Sequence, residues 1–110
     1  EINYLALADI IKAMENNSHD LQTIMNWTHI LRSEKRSQDA ITLLHKTMLK
    51  LNPDEIGYVC AKISEIQLEI GDYSESIIHM LASSRLLPEN EIVNKNLEVL
   101  KSHLLIKQGN

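Results

Sequence analysis

Few side chains in this sequence have the spacing of catalytic or metal-binding residues. The histidines include no pair spaced four residues apart, the spacing that would place two metal ligands on one helix face. Cys60, the single cysteine, falls at an apolar position with no histidine beside it in the pattern, so we expect a buried thiol rather than a nucleophile. The glycines are scattered and form no phosphate-binding loop. The sequence therefore predicts a protein that is not an enzyme, with no metal site and no cofactor.

Paired carboxylates, the other common acid–base machinery, occur as Glu65 with Glu69 and as Glu89 with Glu91. Both pairs fall on exposed faces or at ends of predicted helices, where hydration and the helix dipole account for them.

The net charge of −4 argues against nonspecific nucleic-acid binding, which needs clustered Lys and Arg to displace counterions from phosphates. No apolar run is long enough to cross a bilayer, and a lone cysteine fits a reducing compartment. We therefore predict a cytoplasmic location, with no membrane or nucleic-acid partner.

The pattern that organises the chain is helical. Apolar residues recur three and four positions apart, Ile, Leu and Met dominate them, and no stretch alternates with the period of a strand. Asn52-Pro53, Gly71 and Pro88 interrupt the pattern, as helix ends require. Ile24, Trp27, Ile30 and Leu31 form the expected apolar stripe of one helix. The spacing predicts about six helices. Four of them cover residues 2–15, 38–51, 54–70 and 74–87, the second runs from a cap at Ser18 or Asp20 to a turn at 33–37, and the sixth runs from about residue 92 nearly to the end of the chain.

The stretch from Ile63 to Pro88 shows how these helices pair. Its apolar residues recur on both sides of a short turn at Gly71, which predicts two amphipathic helices folded into a hairpin. A shift of 36 residues, which carries Ala40 onto Ser76, matches large apolar with large apolar residues and small with small. Because one hairpin leaves apolar surface uncovered on both flanks, similar hairpins are expected to stack on each other.

These residues resemble the tetratricopeptide repeat, a helix-turn-helix unit of about 34 residues. The run from Gly71 to Ile77 is similar to the family's turn and the start of its second helix, and Pro88 matches the closing proline. Ala40 keeps the family's small position in the repeat before it. That earlier repeat has Lys35 or Arg36 where the family has glycine, so we expect a turn of different shape there.

The resemblance implies an all-α fold in which antiparallel helical hairpins form a right-handed superhelix. It covers nearly the whole chain, which we expect to be a single domain, over residues 1–110, that looks cut from a longer array at both ends. The parts are a half repeat, two full repeats and a trailing or capping helix, at residues 1–18, 19–53, 54–88 and 89–110. Without a further repeat, Leu100, Leu104 and Leu105 would lack cover on one face. Either fraying or a homodimer through the exposed terminal helices is expected.

In the family, the first helices of successive repeats line a concave groove that receives an extended or helical peptide. The resemblance therefore implies a noncatalytic interaction module, or scaffold, with a protein or peptide partner. Apolar anchors in the groove would take partner side chains, while polar groups would hold the partner's backbone or carboxylates. The predicted groove residues are Met25, Asn26, His29, Arg32, Tyr58, Lys62, Glu65, Leu97 and Lys101.

One subset of the family binds a chaperone's C-terminal carboxylate through lysines and asparagines, and Met25, His29 and Lys62 replace three of those residues. A chaperone-tail receptor is therefore disfavoured.

Two other functions stay open at the level of sequence. The chain could be a recruiting or regulatory segment of a larger enzyme, a reading favoured by ends that look cut and by a first residue, Glu1, that is not Met. It could also be a small chaperone for a subunit of a bacterial secretion system, with its exposed apolar flanks as the binding surface. The reading frame beyond Asn110 would test the first function, and a neighbouring gene for a secreted client would test the second.

Overall fold

The computed structural model of this chain describes residues 21–108, and all regular secondary structure in that range is helical. The prediction of an all-α chain is confirmed for these residues. The helix expected over residues 2–15, and with it the half repeat at 1–18, lies outside them. The described helices are α1 (Leu21–Ser33), α2 (Ser37–Thr47), α3 (Pro53–Glu69), α4 (Tyr73–Leu86) and α5 (Glu91–Gln108), with a 3-10 turn at Met48–Lys50. The chain divides into two compact units, Glu1–Lys50 and Leu51–Asn110, and each is described by itself.

The described part of the first unit is a pair of helices, α1 and α2. Ile24, Thr28 and Leu31 are buried on α1, at the three- and four-residue spacing of one helix face. Ile30, expected in the same stripe, is instead 44% exposed. It precedes Leu31 by one residue, which is about 100° of rotation around an α-helix and carries its side chain off the buried face. The helix expected over 38–51 ends earlier as an α-helix and continues in the tighter 3-10 form that often closes a helix.

In the second unit, α3 begins with a complete capping box. The Asn52 side chain accepts a hydrogen bond from the Glu55 backbone N–H at 2.9 Å, and Glu55 Oε1 accepts one from the Asn52 N–H at 3.2 Å. Pro53 occupies the first helical position, where its missing N–H leaves no bond unmade. The Asn-Pro pair that ends the preceding apolar pattern is therefore also the start signal of α3.

Small residues hold α3 against α4. The Ser64 and Ser76 hydroxyls lie 2.9 Å apart, and each donates to the other residue's carbonyl oxygen, at 2.6 Å from Ser64 and 2.8 Å from Ser76. Farther from the turn, the Ser83 hydroxyl donates to the Gly57 carbonyl at 2.7 Å. A Cβ on Gly57 would lie only 2.7 Å from Cγ of Leu87, so glycine allows this close approach. The two helices thus run antiparallel as a hairpin.

Helix α5 packs on this hairpin and completes the core of the second unit. Met80, Val93, Leu97 and Leu100 form a buried cluster, and four partly buried residues pack against it: Ala61, Ile77, Leu81 and Leu87. The ring centroids of Tyr73 and His103 lie 5.4 Å apart, which brings the start of α4 beside the later part of α5. The expectation that Leu100 lacks cover is wrong, because this cluster leaves it only 4% exposed. Leu104 is half-buried, whereas Leu105 is 69% exposed.

The turns between α1 and α2 and between α3 and α4 have the same backbone design. In each, the second residue after the last helical residue is left-handed, with φ of 62° at Lys35 and 85° at Gly71. Equivalent N–H groups donate to equivalent carbonyls, in the pattern of a Schellman motif. The bonds join Glu34 to Ile30, Lys35 to Arg32 and Arg36 to Leu31 in one turn, and Ile70 to Ile66, Gly71 to Leu68 and Asp72 to Gln67 in the other. The expected difference in shape is therefore wrong, because lysine adopts the conformation that glycine holds in the second turn.

This shared turn makes a paired prediction about stability. A residue other than glycine in the left-handed region destabilises the folded state by about 1–2 kcal/mol. Replacing it with glycine removes this cost, but glycine's greater freedom in the unfolded chain offsets about 0.4–1 kcal/mol of the gain in stability. Lys35→Gly should therefore raise the free energy of unfolding by up to about 1 kcal/mol, and Gly71→Lys should lower it by about 1 kcal/mol. Chemical denaturation followed by circular dichroism would measure both. Glu34→Gly is the matched control, since φ is negative there and glycine should only destabilise. Equal effects at Lys35 and Glu34 would contradict the prediction.

Candidate functional site

Four predicted groove residues lie along one face of α1. Asn26 and His29 are exposed, and Met25 and Arg32 are half-buried. Gln22 Nε2 donates a hydrogen bond to Asn26 Oδ1 at 3.1 Å, across one helical turn. The face is therefore mostly polar, with Met25 as its apolar member.

Three more predicted residues lie along the corresponding face of α3. Tyr58 is 47% exposed, and Lys62 Nζ lies 2.8 Å from Glu65 Oε2. Because both charged side chains are substantially exposed, their ion pair contributes little to stability. It nevertheless compensates the Lys62 charge within the chain, so Lys62 is a weaker partner for carboxylates than its sequence position implies.

The last two predicted residues lie on α5 and differ in accessibility. Leu97 is only 7% exposed and belongs to the buried cluster with Met80, so a partner side chain cannot reach it without displacing the core. We therefore remove Leu97 from the candidate surface. Lys101 stays at the surface, with Nζ 3.9 Å from Glu98 Oε1. The predicted residues thus lie on three helices, of which α1 belongs to the first unit and α3 and α5 belong to the second.

A surface pocket of about 410 Å³ adds a feature that the sequence did not predict. It opens where α3 begins and α4 ends, and among the predicted groove residues only Tyr58 lines it. Its other lining residues come from the first turn of α3, the last turn of α4 and the connection to α5. They are Asp54, Leu86, Leu87, Pro88, Glu89 and Asn90. We call this cavity the α3–α4 pocket.

The connection that forms one side of the α3–α4 pocket is held by hydrogen bonds to both of its flanking helices. The Leu87 N–H donates to the Ser83 carbonyl at 2.8 Å, and the Asn90 N–H donates to the Leu87 carbonyl at 3.1 Å. Asn90 Oδ1 accepts from the Val93 N–H at 3.0 Å, and Asn94 Nδ2 donates to the Pro88 carbonyl at 3.0 Å. These bonds fix the wall of the pocket before any ligand arrives.

Both charged side chains of the α3–α4 pocket are acidic. Asp54 and Glu89 supply carboxylates, and the lining contains no Lys, Arg or His. No ion pair within residues 21–108 involves either carboxylate. The uncharged lining is an aromatic ring at Tyr58, aliphatic surface at Leu86, Leu87 and Pro88, and the polar side chain of Asn90. The pocket therefore combines negative charge with partly apolar walls.

Other chemistry finds little support in the part of the chain that the structure describes. Cys60 is buried, and burial raises the pKa of its thiol, so the reactive thiolate is disfavoured at neutral pH. Among residues 21–108, no group of three His, Cys, Asp or Glu side chains is placed to hold a metal ion. None of the helices in this range combines the length and apolarity needed to cross a membrane.

The structure contains two turns that resemble each other closely. The two turns share their hydrogen bonds and their left-handed residue, and Ala40 and Ser76, both fully buried, occupy equivalent positions after them. In comparisons with known proteins, no protein-family model, no curated protein and no solved structure matches the chain.

Proposed function

We propose that the chain is a noncatalytic protein–protein interaction module of the tetratricopeptide type. In this proposal α1–α2 and α3–α4 are successive repeats of a right-handed helical solenoid. The exposed faces of α1 and α3 are its binding surface, and its partner is a peptide or helix of another protein. The observation that carries the proposal is the repeated turn, because two sequences that differ at its left-handed residue reach the same hydrogen-bonding pattern.

The side chains of the α3 face also support binding rather than catalysis. Tyr58 is the type of large, amphipathic side chain that dominates binding energy in protein interfaces. Lys62 and Glu65 flank it with polar groups that would surround such an anchor. The face belongs to a helix fixed by the buried Ser64–Ser76 contact, so little of the ordering cost of binding would fall on this chain.

Capture of a partner tests the proposal. The full chain would be immobilised and exposed to lysate of its source organism, beside a variant carrying Tyr58→Ala, Lys62→Ala and Glu65→Ala. Loss of an aromatic anchor typically weakens binding by about 2 kcal/mol, so we expect capture to fall at least about tenfold. Circular dichroism would confirm that both proteins are folded.

A matched control separates this face from a general effect of removing side chains. Ile78→Ala, Glu75→Ala and Lys95→Ala remove one apolar, one acidic and one basic side chain at exposed positions of α4 and α5. The control should capture the partner as the parent does. Equal capture by all three proteins would contradict the assignment of the α3 face, and capture of nothing by the parent would contradict the proposed function.

A further inference from the structure

We propose that the α3–α4 pocket binds an arginine side chain of the partner polypeptide. This inference rests on the proposed function, since it names the chemistry of a group that the partner would supply. The pocket volume of about 410 Å³ lies in the range of about 300–1,000 Å³ typical of small-ligand sites. A helix, with a diameter of about 10 Å, is too large to enter such a site, whereas a single long side chain fits.

The charge of the α3–α4 pocket favours a cation. Asp54 and Glu89 line it, and Glu55 and Glu91 lie in the first turns of the two helices that begin beside it. Arg85, in the last turn of α4, and the N-termini of α3 and α5 oppose these charges, and each helix end contributes only about half an elementary charge. Four carboxylates therefore outweigh the arginine and the two helix ends together. Lys62, the nearest lysine along α3, is already paired with Glu65.

The walls of the α3–α4 pocket favour a cation with a long aliphatic stem. Leu86 and Leu87 are half-buried, and Pro88 is exposed beside them, so the methylene groups of a bound side chain would meet apolar surface. Tyr58 presents an aromatic ring that is 47% exposed. A cation over such a ring is attracted by its quadrupole, and a planar guanidinium can also stack on it.

Arginine fits this combination better than lysine does. Its guanidinium offers several N–H donors in a fixed plane, so one group can donate to a carboxylate and stack on an aromatic ring together. Ammonium is a compact, strongly hydrated charge, and it loses more hydration on entering a partly apolar site. The hydrogen bonds of Asn90 and Asn94 hold the wall in place, so binding needs little rearrangement.

Titration of the isotope-labelled full chain with N-acetyl-arginine amide, followed by nuclear magnetic resonance, tests the pocket directly. We expect saturable shifts of the amide signals of Tyr58, Leu87 and Asn90. N-acetyl-citrulline amide, which has nearly the same shape without the charge, should bind at least about fivefold more weakly. Equal shifts from citrulline, or equal affinity for N-acetyl-lysine amide, would overturn the proposal.

The carboxylates are tested by a double variant, Asp54→Asn with Glu89→Gln. It keeps the shape of the α3–α4 pocket and removes its charge, so arginine affinity should fall about fivefold or more. The control is Glu75→Gln, an exposed residue at the opposite end of α4, which should leave the affinity unchanged. Unchanged affinity in the double variant would overturn the assignment.

The same double variant separates this inference from the proposed function, because it leaves Tyr58, Lys62 and Glu65 intact. Reduced capture of the partner by the double variant would support the arginine site. If the α3-face variant loses the partner while the double variant keeps it, the interaction function stands and the arginine site is overturned. If arginine binds but the parent captures no partner, the chemistry of the pocket stands and the interaction function fails.

Discussion

Replacing Ser76 with leucine is expected to lower the free energy of unfolding of the second unit by about 2–6 kcal/mol. Ser76 is fully buried, and its hydroxyl lies 2.9 Å from that of Ser64, so no space exists for three more carbon atoms. Overfilling a packed contact typically costs about 1–3 kcal/mol, and loss of a buried hydrogen-bond partner adds about 1–3 kcal/mol. Chemical denaturation would measure the loss, and hydrogen exchange would show whether it is confined to α3, α4 and α5.

Ser76→Ala is the control that separates overfilling from loss of the hydrogen bonds. The first unit shows what alanine does there, because Ala40 holds the equivalent position and Thr28 stands where the second unit has Ser64. The Thr28 hydroxyl donates to the Ile24 carbonyl of its own helix at 2.9 Å. Ser64 can turn to the Cys60 carbonyl in the same way, so Ser76→Ala should cost only about 1 kcal/mol. Equal stability losses in the alanine and leucine variants would contradict the packing argument.

The helices and their pairing could be predicted from sequence because they depend on local pattern. Apolar spacing locates the buried faces, and Pro53 and Gly71 mark ends that follow from their own backbone chemistry. The α1–α2 turn escaped this reasoning because Lys35 is not a residue expected to be left-handed. The signal was nevertheless present, since the 36-residue shift that matches Ala40 with Ser76 also carries Lys35 onto Gly71.

The candidate site was harder to predict because it depends on how separate helices meet. The apolar pattern of α5 allows Leu97 to lie either on the groove surface or in the core. The packing of α5 on Met80 places it in the core. The α3–α4 pocket unites Asp54 and Tyr58 with Leu87 and Glu89, from segments about thirty residues apart in sequence. No periodic pattern connects such residues, so the pocket becomes visible only in three dimensions.

Leu97→Ala is expected to lower the free energy of unfolding by about 2–5 kcal/mol, the usual cost of truncating a buried leucine. The side chain is 7% exposed and packs with Met80, Val93 and Leu100, so alanine would leave a cavity between α4 and α5. Val99→Ala is the matched control on the same helix. Val99 is 61% exposed, and its truncation should change stability by no more than about 0.5 kcal/mol.

The same variant distinguishes a core residue from a groove anchor. A groove anchor would lose partner binding at unchanged stability, whereas a core residue loses stability and keeps binding wherever the protein stays folded. We therefore expect Leu97→Ala to capture the partner normally well below its melting temperature and to lose it as α5 unfolds. The loss near melting follows because Asn90, which caps α5, also lines the α3–α4 pocket. Parent-like stability with lost capture would contradict the core position and return Leu97 to the binding surface.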